Sequence, residues 1–328
     1  MIHVLRAGLQ TVVQDQGRMG YQRFGIVAGG AADPFAARIA NALVGNAATA
    51  AVLEMALAGP QLRFDSETLV AWCGADFEAT LDGQPLLKNR PVRVPAGRTL
   101  DFSGARHGVM AWLAVAGGIA VPEVMGSRAT DLAARFGGLA GRRLATGDEL
   151  PIGSASAWAQ AMMRRLSAEG KAAAWSVPPE YLGTPAPSGT LRAMRGPEWD
   201  WFSPEAQAAF FREAFLVTKD SNRMGVRLGG LPLALTASRE MISAAVQHGV
   251  VQVPPSGQPI LLGADRQTIG GYPRIAAVAT VDFGRLAQLR PGEAVSFREI
   301  SVPEAHALLL QRERDFSLAL ANLATLRA

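Results

Sequence analysis

Short apolar runs, cut by glycine and proline, recur along most of the chain. Leu69-Val-Ala-Trp-Cys73, Val92-Arg-Val94, Met110-Ala-Trp-Leu-Ala-Val115, Val250-Val-Gln-Val253, Ile260-Leu-Leu262 and Ala294-Val-Ser-Phe297 read as β-strands. Leu81-Asp-Gly-Gln84 and Val94-Pro-Ala-Gly-Arg98 read as hairpin turns. Short strands at regular spacing predict barrels or sandwiches in preference to a parallel sheet. Three helices interrupt them. Asp33-Pro34 supplies a cap and a first-turn proline for a helix over Phe35–Leu43, with Gly45 beyond its end. Ser203-Pro204-Glu205 repeats that start signal before Ala206–Phe211. Ser301, Pro303 and Glu304 open a third, where Leu308, Leu309, Phe316, Leu320 and Leu323 form an apolar stripe.

The same short motifs occur twice in the same order. Asp15-Gln-Gly-Arg18-Met-Gly20 matches Asp220-Ser-Asn-Arg223-Met-Gly225, and Glu54-Met55 matches Glu240-Met241. Gly74-Ala-Asp76 matches Gly263-Ala-Asp265, and Gly147-Asp148 resembles Gly292-Glu293. Four ordered matches point to a tandem duplication. The expected organisation is a first β domain over 1–153, a linker over 154–190, and a second β domain with the C-terminal helix over 191–328. The linker holds a short Ala/Met/Arg helix, then Pro178, Pro179, Pro185 and Pro187.

Length and composition agree with two packed domains. The chain has 328 residues, 49% hydrophobic and 18% charged, which excludes wholesale disorder. No uncharged apolar run reaches the roughly 18 residues needed to cross a bilayer. No signal peptide is expected at the N-terminus, and the lone Cys73 fits a reducing compartment, so the expected location is cytoplasmic with no membrane contact. The net charge is +4, carried almost wholly by scattered arginine, since the lysines are only Lys88, Lys171 and Lys219. Nucleic-acid surfaces show a basic stripe with aromatics, and none is present, so no nucleic-acid partner is expected.

Candidate chemistry gathers in the second copy. In Asp220–Gly230, Arg223 and Arg227 lie four apart among glycines, beside Asn222, and can present two guanidinium forks to an anion. The alternative is a glycine-rich turn whose arginine pairs with a carboxylate of its own repeat. Gln252 sits in an apolar strand before Pro254-Pro-Ser-Gly257 and needs a partner if buried. Asp265, Gln267, Thr268, Gly270, Gly271 and Tyr272 crowd one loop, a density of hydrogen-bonding groups that suits a site on a rigid β scaffold. At the aligned places the first copy carries Gly17, Glu78, Ala79 and Gly83, so the second copy is expected to hold the site. There is no Walker phosphate loop, and no Gly-x-Gly-x-x-Gly after a strand. His3, His107, His248 and His306 are isolated, so no metal ligand is expected. The biotin-carrier motif Ala-Met-Lys-Met is missing, so no biotin is expected on the chain.

At these segments the sequence resembles the KipA family, which spans the C-type component of 5-oxoprolinase, allophanate hydrolase subunit 2 and the carboxyltransferase region of urea carboxylase. The resemblance rests on Gln14-Asp-Gln-Gly-Arg18, Gly30-Ala-Ala-Asp33, Asn41-Ala-Leu-Val-Gly-Asn46, Leu53-Glu54, Leu113-Ala-Val-Ala-Gly-Gly118 and Gly126-Ser-Arg-Ala-Thr130, and on Ser221-Asn-Arg-Met-Gly225, Gln252-Val-Pro-Pro255 and Gln267-Thr-Ile-Gly-Gly-Tyr-Pro273. It implies a mainly β chain of tandem cyclophilin-like β-barrels with a few short helices. It implies a KipI-like partner, the B-type component of 5-oxoprolinase, and a LamB/YcsF-like partner, the A-type component. The expected activity is opening of 5-oxo-L-proline to L-glutamate in that complex, with ATP, and Mg2+ beside it, activating the lactam. Asp265, Arg223 and Tyr272 are then the expected catalytic residues. Asn222, Arg227, Glu240, Gln252, Gln267, Thr268, Gly270 and Gly271 are expected to bind substrate or nucleotide. The family leaves two alternatives: a carboxyltransferase for urea using carboxybiotin from another protein, and a non-enzymatic regulator of the KipI-like partner.

Overall fold

The computed structural model describes residues 1–169, 172–178 and 189–325. Pro179, Pro185 and Pro187 of the expected linker lie outside them. The chain groups into two compact units. One comprises Met1–Arg18, Gly29–Thr184 and Arg314–Ala328, and the other Met19–Ala28 and Pro185–Glu313. The fold is mainly β, with one closed barrel and one curled sheet.

The first unit is built on a nine-stranded sheet. Its strands are β1 (Ile2–Arg6), β2 (Gln10–Gln14), β3 (Val52–Ala56), β4 (Gln61–Phe64), β5 (Thr68–Leu81), β6 (Gln84–Leu86), β7 (Val92–Val94), β8 (Thr99–Val115) and β9 (Glu149–Leu150). They pair in the order β2-β3-β8-β4-β1-β9, and β5 adds to β6, β7 and β8. The β5–β8 register shifts between Gly74 and Asp76 and twice more before Ala79. Such bulges bend a long ribbon and strengthen its twist. The inward faces pack Trp72 edge-on to Phe102, with ring centres 5.2 Å apart. Helix α1 (Pro34–Leu43) starts where expected, because the Asp33 carboxylate accepts from the Phe35 and Ala36 amides at 3.0 Å. It buries Phe35, Ala36, Ile39, Ala40 and Leu43. Helix α2 (Ala157–Glu169) follows the sheet.

The second unit is a closed barrel of β10 (Thr190–Arg195), β11 (Phe215–Val217), β12 (Gly225–Gly229), β14 (Val250–Gln252), β15 (Ile260–Leu262), β17 (Arg274–Val278) and β18 (Ala294–Glu299). Two short strands, β13 (Ala244–Ala245) and β16 (Ile269–Gly270), pair with each other beside it. The β10–β18 pairing is parallel and the other barrel pairings are antiparallel. Helix α3 (Pro204–Arg212) is capped by Ser203 and adds Phe210 to the core, stacked on Phe297 at 4.4 Å. After the short α4 (Phe283–Leu286) and β18, α5 (Val302–Thr325) opens on a reciprocal Ser301–Glu304 cap.

The repeated motifs share local structure at two places. Gly147 and Gly292 both have φ near 90°, and each precedes the last strand of its unit. The Asp148 carboxylate accepts from the Ala145 amide, as Glu293 accepts from Arg290, three residues back in each case. Arg18 and Arg223 are both buried, the first after β2 and the second in the turn before β12. The other two pairs differ. Glu54 is buried in β3, where it accepts from the Ala32 amide and the Trp112 indole, whereas Glu240 is exposed in a loop. Asp76 sits at a bulge inside β5, whereas Asp265 lies in the turn after β15.

Candidate functional site

Three turns of the second unit carry the polar residues singled out by the sequence: 220–225 before β12, 263–268 after β15, and 270–273 between β16 and β17. Each turn is held by a different device.

The first two are locked by a buried ion pair. Arg223 donates through Nε to Asp265 Oδ2 at 2.8 Å and through Nη2 to Oδ1 at 3.0 Å. Their side chains are 4% and 11% exposed. The backbone repeats the link, since the Asp265 amide donates to the Arg223 carbonyl at 3.1 Å. The turn alternative therefore describes Arg223: it binds a carboxylate of its own repeat. Asn222 shapes the same turn, its Oδ1 accepting from the Met224 amide at 2.8 Å. Arg227 stands apart, on the exposed side of β12. A spacing of four aligns two side chains on a helix, but here it runs from a turn into a strand, so no double fork forms. Glu240 has no hydrogen bond or ion pair to the other candidates among the described residues.

The third turn is organised by Gln252, which is 1% exposed. Its Nε2 donates to the Tyr272 carbonyl at 3.1 Å, and its Oε1 accepts from Gln267 Nε2 at 3.1 Å. A side chain at Gly270 would place its first carbon 2.6 Å from Gln252 Nε2, so it would push the Gln252 amide out of this position. The arrangement joins Gln252, Gln267, Gly270 and Tyr272 in one patch. Gln267 Oε1 accepts no hydrogen bond from a described residue, and Tyr272 is 44% exposed. Thr268 contributes through its backbone carbonyl, and Gly271 faces Ser243.

Two participants carried no sequence signal. Gln22, in the segment Met19–Ala28 that groups with this unit, donates from Nε2 to the carbonyls of Val246 at 3.0 Å and Thr268 at 2.9 Å. It clamps the strand β13 side of the patch to the loop before β16. Arg274 pairs with Glu198 through two guanidinium nitrogens, at 2.8 and 2.6 Å, and also donates to the Ala245 carbonyl. Burial alone would raise the Glu198 carboxyl, but its hydrogen bonds from Arg274 hold it below the ordinary range. A ten-residue excursion without periodicity gives no cue to what its tip touches.

His248 and Arg266 flank the ion pair. His248 stacks on Phe283 with ring centres 3.9 Å apart. Burial, reinforced by the positive charges of Arg266 and Arg223, pulls its imidazole down to about 3, so it is neutral near pH 7. Among the described residues, no group of three or more histidine, cysteine, aspartate or glutamate side chains is placed to hold a metal ion. No described helix is long and apolar enough to cross a membrane. Cys73 is buried, and desolvation raises its thiol well above the ordinary range, so it is unreactive.

Residues 24–299 match the family model described as carboxyltransferase domain, subdomain A and B. The chain is 41% identical over 317 residues to the C-type component of 5-oxoprolinase from Escherichia coli, covering 96% of both chains. It is 32% identical to urea amidolyase of Lachancea kluyveri, covering 93% of this chain and 17% of that one. The crystal structure of Kluyveromyces lactis urea carboxylase superposes with a TM-score of 0.87 at 29% identity, over 98% of this chain and 29% of that one.

Proposed function

The chain belongs to the carboxyltransferase domain family, subdomains A and B, and from that premise we propose that it serves as the C-type component of a 5-oxoprolinase complex. The observation that carries this reading is end-to-end likeness: the bacterial 5-oxoprolinase component matches over 96% of each chain, whereas urea amidolyase matches over 17% of its length. In this reading the chain acts in the cytoplasm with a KipI-like partner and a LamB/YcsF-like partner. The complex uses ATP and Mg2+ to open 5-oxo-L-proline to L-glutamate.

A lactam is a poor electrophile. In the complex, ATP would supply a phosphoryl group to the lactam oxygen with release of ADP; one water would then add at the activated carbon, the C–N bond would break to open the ring, and a second water would release the phosphate. Arg223, the arginine expected to meet a phosphate, is committed to Asp265 in this structure. No phosphoryl step is therefore assigned to this chain. Its own part is recognition of the small amide. Gln267, held by Gln252, offers Oε1 to a lactam N–H, and Tyr272 offers an exposed ring and hydroxyl beside it. Asp265 and Arg223 hold the turn from which Gln267 projects.

The structural likeness to urea carboxylase favours a second reading, transfer of a carboxyl group from carboxybiotin on another protein to urea. The same amide groups suit that pair of substrates. The test is the reconstituted complex. ATP-dependent release of glutamate from 5-oxo-L-proline, requiring this chain, supports the first reading. Urea-dependent consumption of carboxybiotin without glutamate release supports the second. Neither activity from a fully assembled complex leaves the regulatory role.

A further inference from the structure

We propose that Gln252 is a specificity-determining positioning residue: it fixes which end of the Gln267 side-chain amide faces the ligand, and so selects ligands that present an N–H. The proposal rests on the reading above for the identity of the substrate, and on the chain of hydrogen bonds for the selection.

The chain starts at a group that can only accept. The Tyr272 carbonyl has no proton to give, so the end of the Gln252 amide 3.1 Å from it is the NH2. Gln252 Oε1 then faces the other way, where it accepts from Gln267 Nε2 at 3.1 Å. An acceptor at that place calls for the NH2 of Gln267, which leaves Gln267 Oε1 as the outward end. That Oε1 is not enclosed and accepts from no described residue, so it stands open to solvent. The two ends of an amide have nearly the same shape, and only such a network tells them apart. Gln252 is 1% exposed, so a flipped amide would set oxygen against the Tyr272 carbonyl in a place closed to water.

The backbone on either side of Gln267 is already held. The Arg223–Asp265 pair fixes the turn before it, and Gln22 Nε2 donates to the Thr268 carbonyl after it. What Gln252 adds is the polarity of the side chain. A lactam or a urea extends the chain by donating its N–H to Gln267 Oε1. A lactone of the same ring size puts an oxygen there instead, and two acceptors meet. The two rings match in shape, so discrimination between them reads polarity and not fit.

The test is titration of the full chain, wild type and the variants Gln252→Met and Gly270→Ala. The first keeps the length of the side chain and removes both of its hydrogen bonds. The second keeps both glutamines but sets a methyl group 2.6 Å from Gln252 Nε2, which displaces that amide. Binding is read by calorimetry, with circular dichroism confirming the fold, and either variant suffices where the other misfolds. The ligands are 5-oxo-L-proline, its lactone counterpart 5-oxotetrahydrofuran-2-carboxylate, and the cyclic urea 2-imidazolidinone. The wild type is expected to prefer the lactam over the lactone by about tenfold or more, and the variants to lose most of that preference. A merely structural role for Gln252 weakens both ligands together and keeps their ratio, and that result overturns the proposal. Equal binding of lactam and lactone to the wild type overturns it too, and leaves the substrate reading standing. Gln252-dependent binding of 2-imidazolidinone, with no binding of 5-oxo-L-proline, keeps the selection and counts against 5-oxo-L-proline. Absence of binding by either N–H ligand overturns the proposal.

Discussion

At the scale of single residues, the Arg223–Asp265 pair is as much a structural lock as a site. Both groups are nearly desolvated, and removing one leaves the other buried without compensation. Arg223→Ala is expected to cost roughly 3–5 kcal/mol of stability. Asp76→Asn, the matched change in the first unit, touches an exposed pair with Lys88 at 3.7 Å and is expected to stay within about 1 kcal/mol. Thermal melts of the two variants check the contrast, and a melting temperature unchanged by Arg223→Ala would count against the lock. Residue type and spacing marked Arg223 and Asp265 as chemistry-bearing. They could not show that these two are each other's partners, because the link closes across 42 positions and depends on how β12 meets β15. His248 adds a pH dependence. Its folded value of about 3 lies below the ordinary value near 6.5, so the folded state holds fewer protons between the two. Its contribution to stability is complete above pH 6.5 and is lost as pH falls toward 3. Urea melts at pH 7, 5.5 and 4.5 are expected to show a shallower acid decline for His248→Asn than for wild type. Parallel curves would show that the ring is already protonated in the folded protein.

At the scale of elements, the sequence is legible wherever a strand or helix announces itself locally. Val92–Val94 and the openings of α1, α3 and α5 lie where the apolar period and the caps place them. Leu69–Cys73 is only the first part of β5, which runs on through the bulge at Gly74 to Leu81. The exposed Glu78, with Asp76 and Thr80, disguises that half because its support comes from β8 and not from its own pattern. The segment 19–28 is the harder case. It has no periodicity, yet Gln22 ties two site loops through two carbonyls. Gln22→Ala removes both hydrogen bonds, each worth about 0.5–1.5 kcal/mol. Hydrogen exchange is expected to quicken in peptides over 244–249 and 267–272, while the barrel strands β12 and β15 keep their protection. Uniform quickening across the second unit would mean that Gln22 supports the whole barrel and not the site loops alone.

At the scale of the molecule, the two units are not two consecutive stretches of chain. Residues 19–28, within the first sequence domain, group with the barrel, and residues from Arg314 onward, at the end of the second, group with the sheet unit. Sequence boundaries follow changes in composition, and neither exchanged segment differs from its surroundings in that respect. The end of α5 shows what the exchange does. Phe316 is 5% exposed, and the Arg38 guanidinium of α1 lies 4.0 Å from its ring centre and 5.3 Å from that of Phe35. Leu323 is buried on the same segment. Deleting residues 314–328 therefore removes packing from the sheet unit, although the cut falls far from it in sequence. Loss of the Phe316 ring alone is worth about 1.5–3 kcal/mol by burial. The truncated chain is expected to melt lower than the full chain, with faster hydrogen exchange over α1 at 34–43. The barrel strands at 250–252 and 260–262 are expected to keep their protection. Exchange that quickens in those strands while α1 stays protected would place the support of α5 in the barrel, and the chain would then divide in space as it divides in sequence.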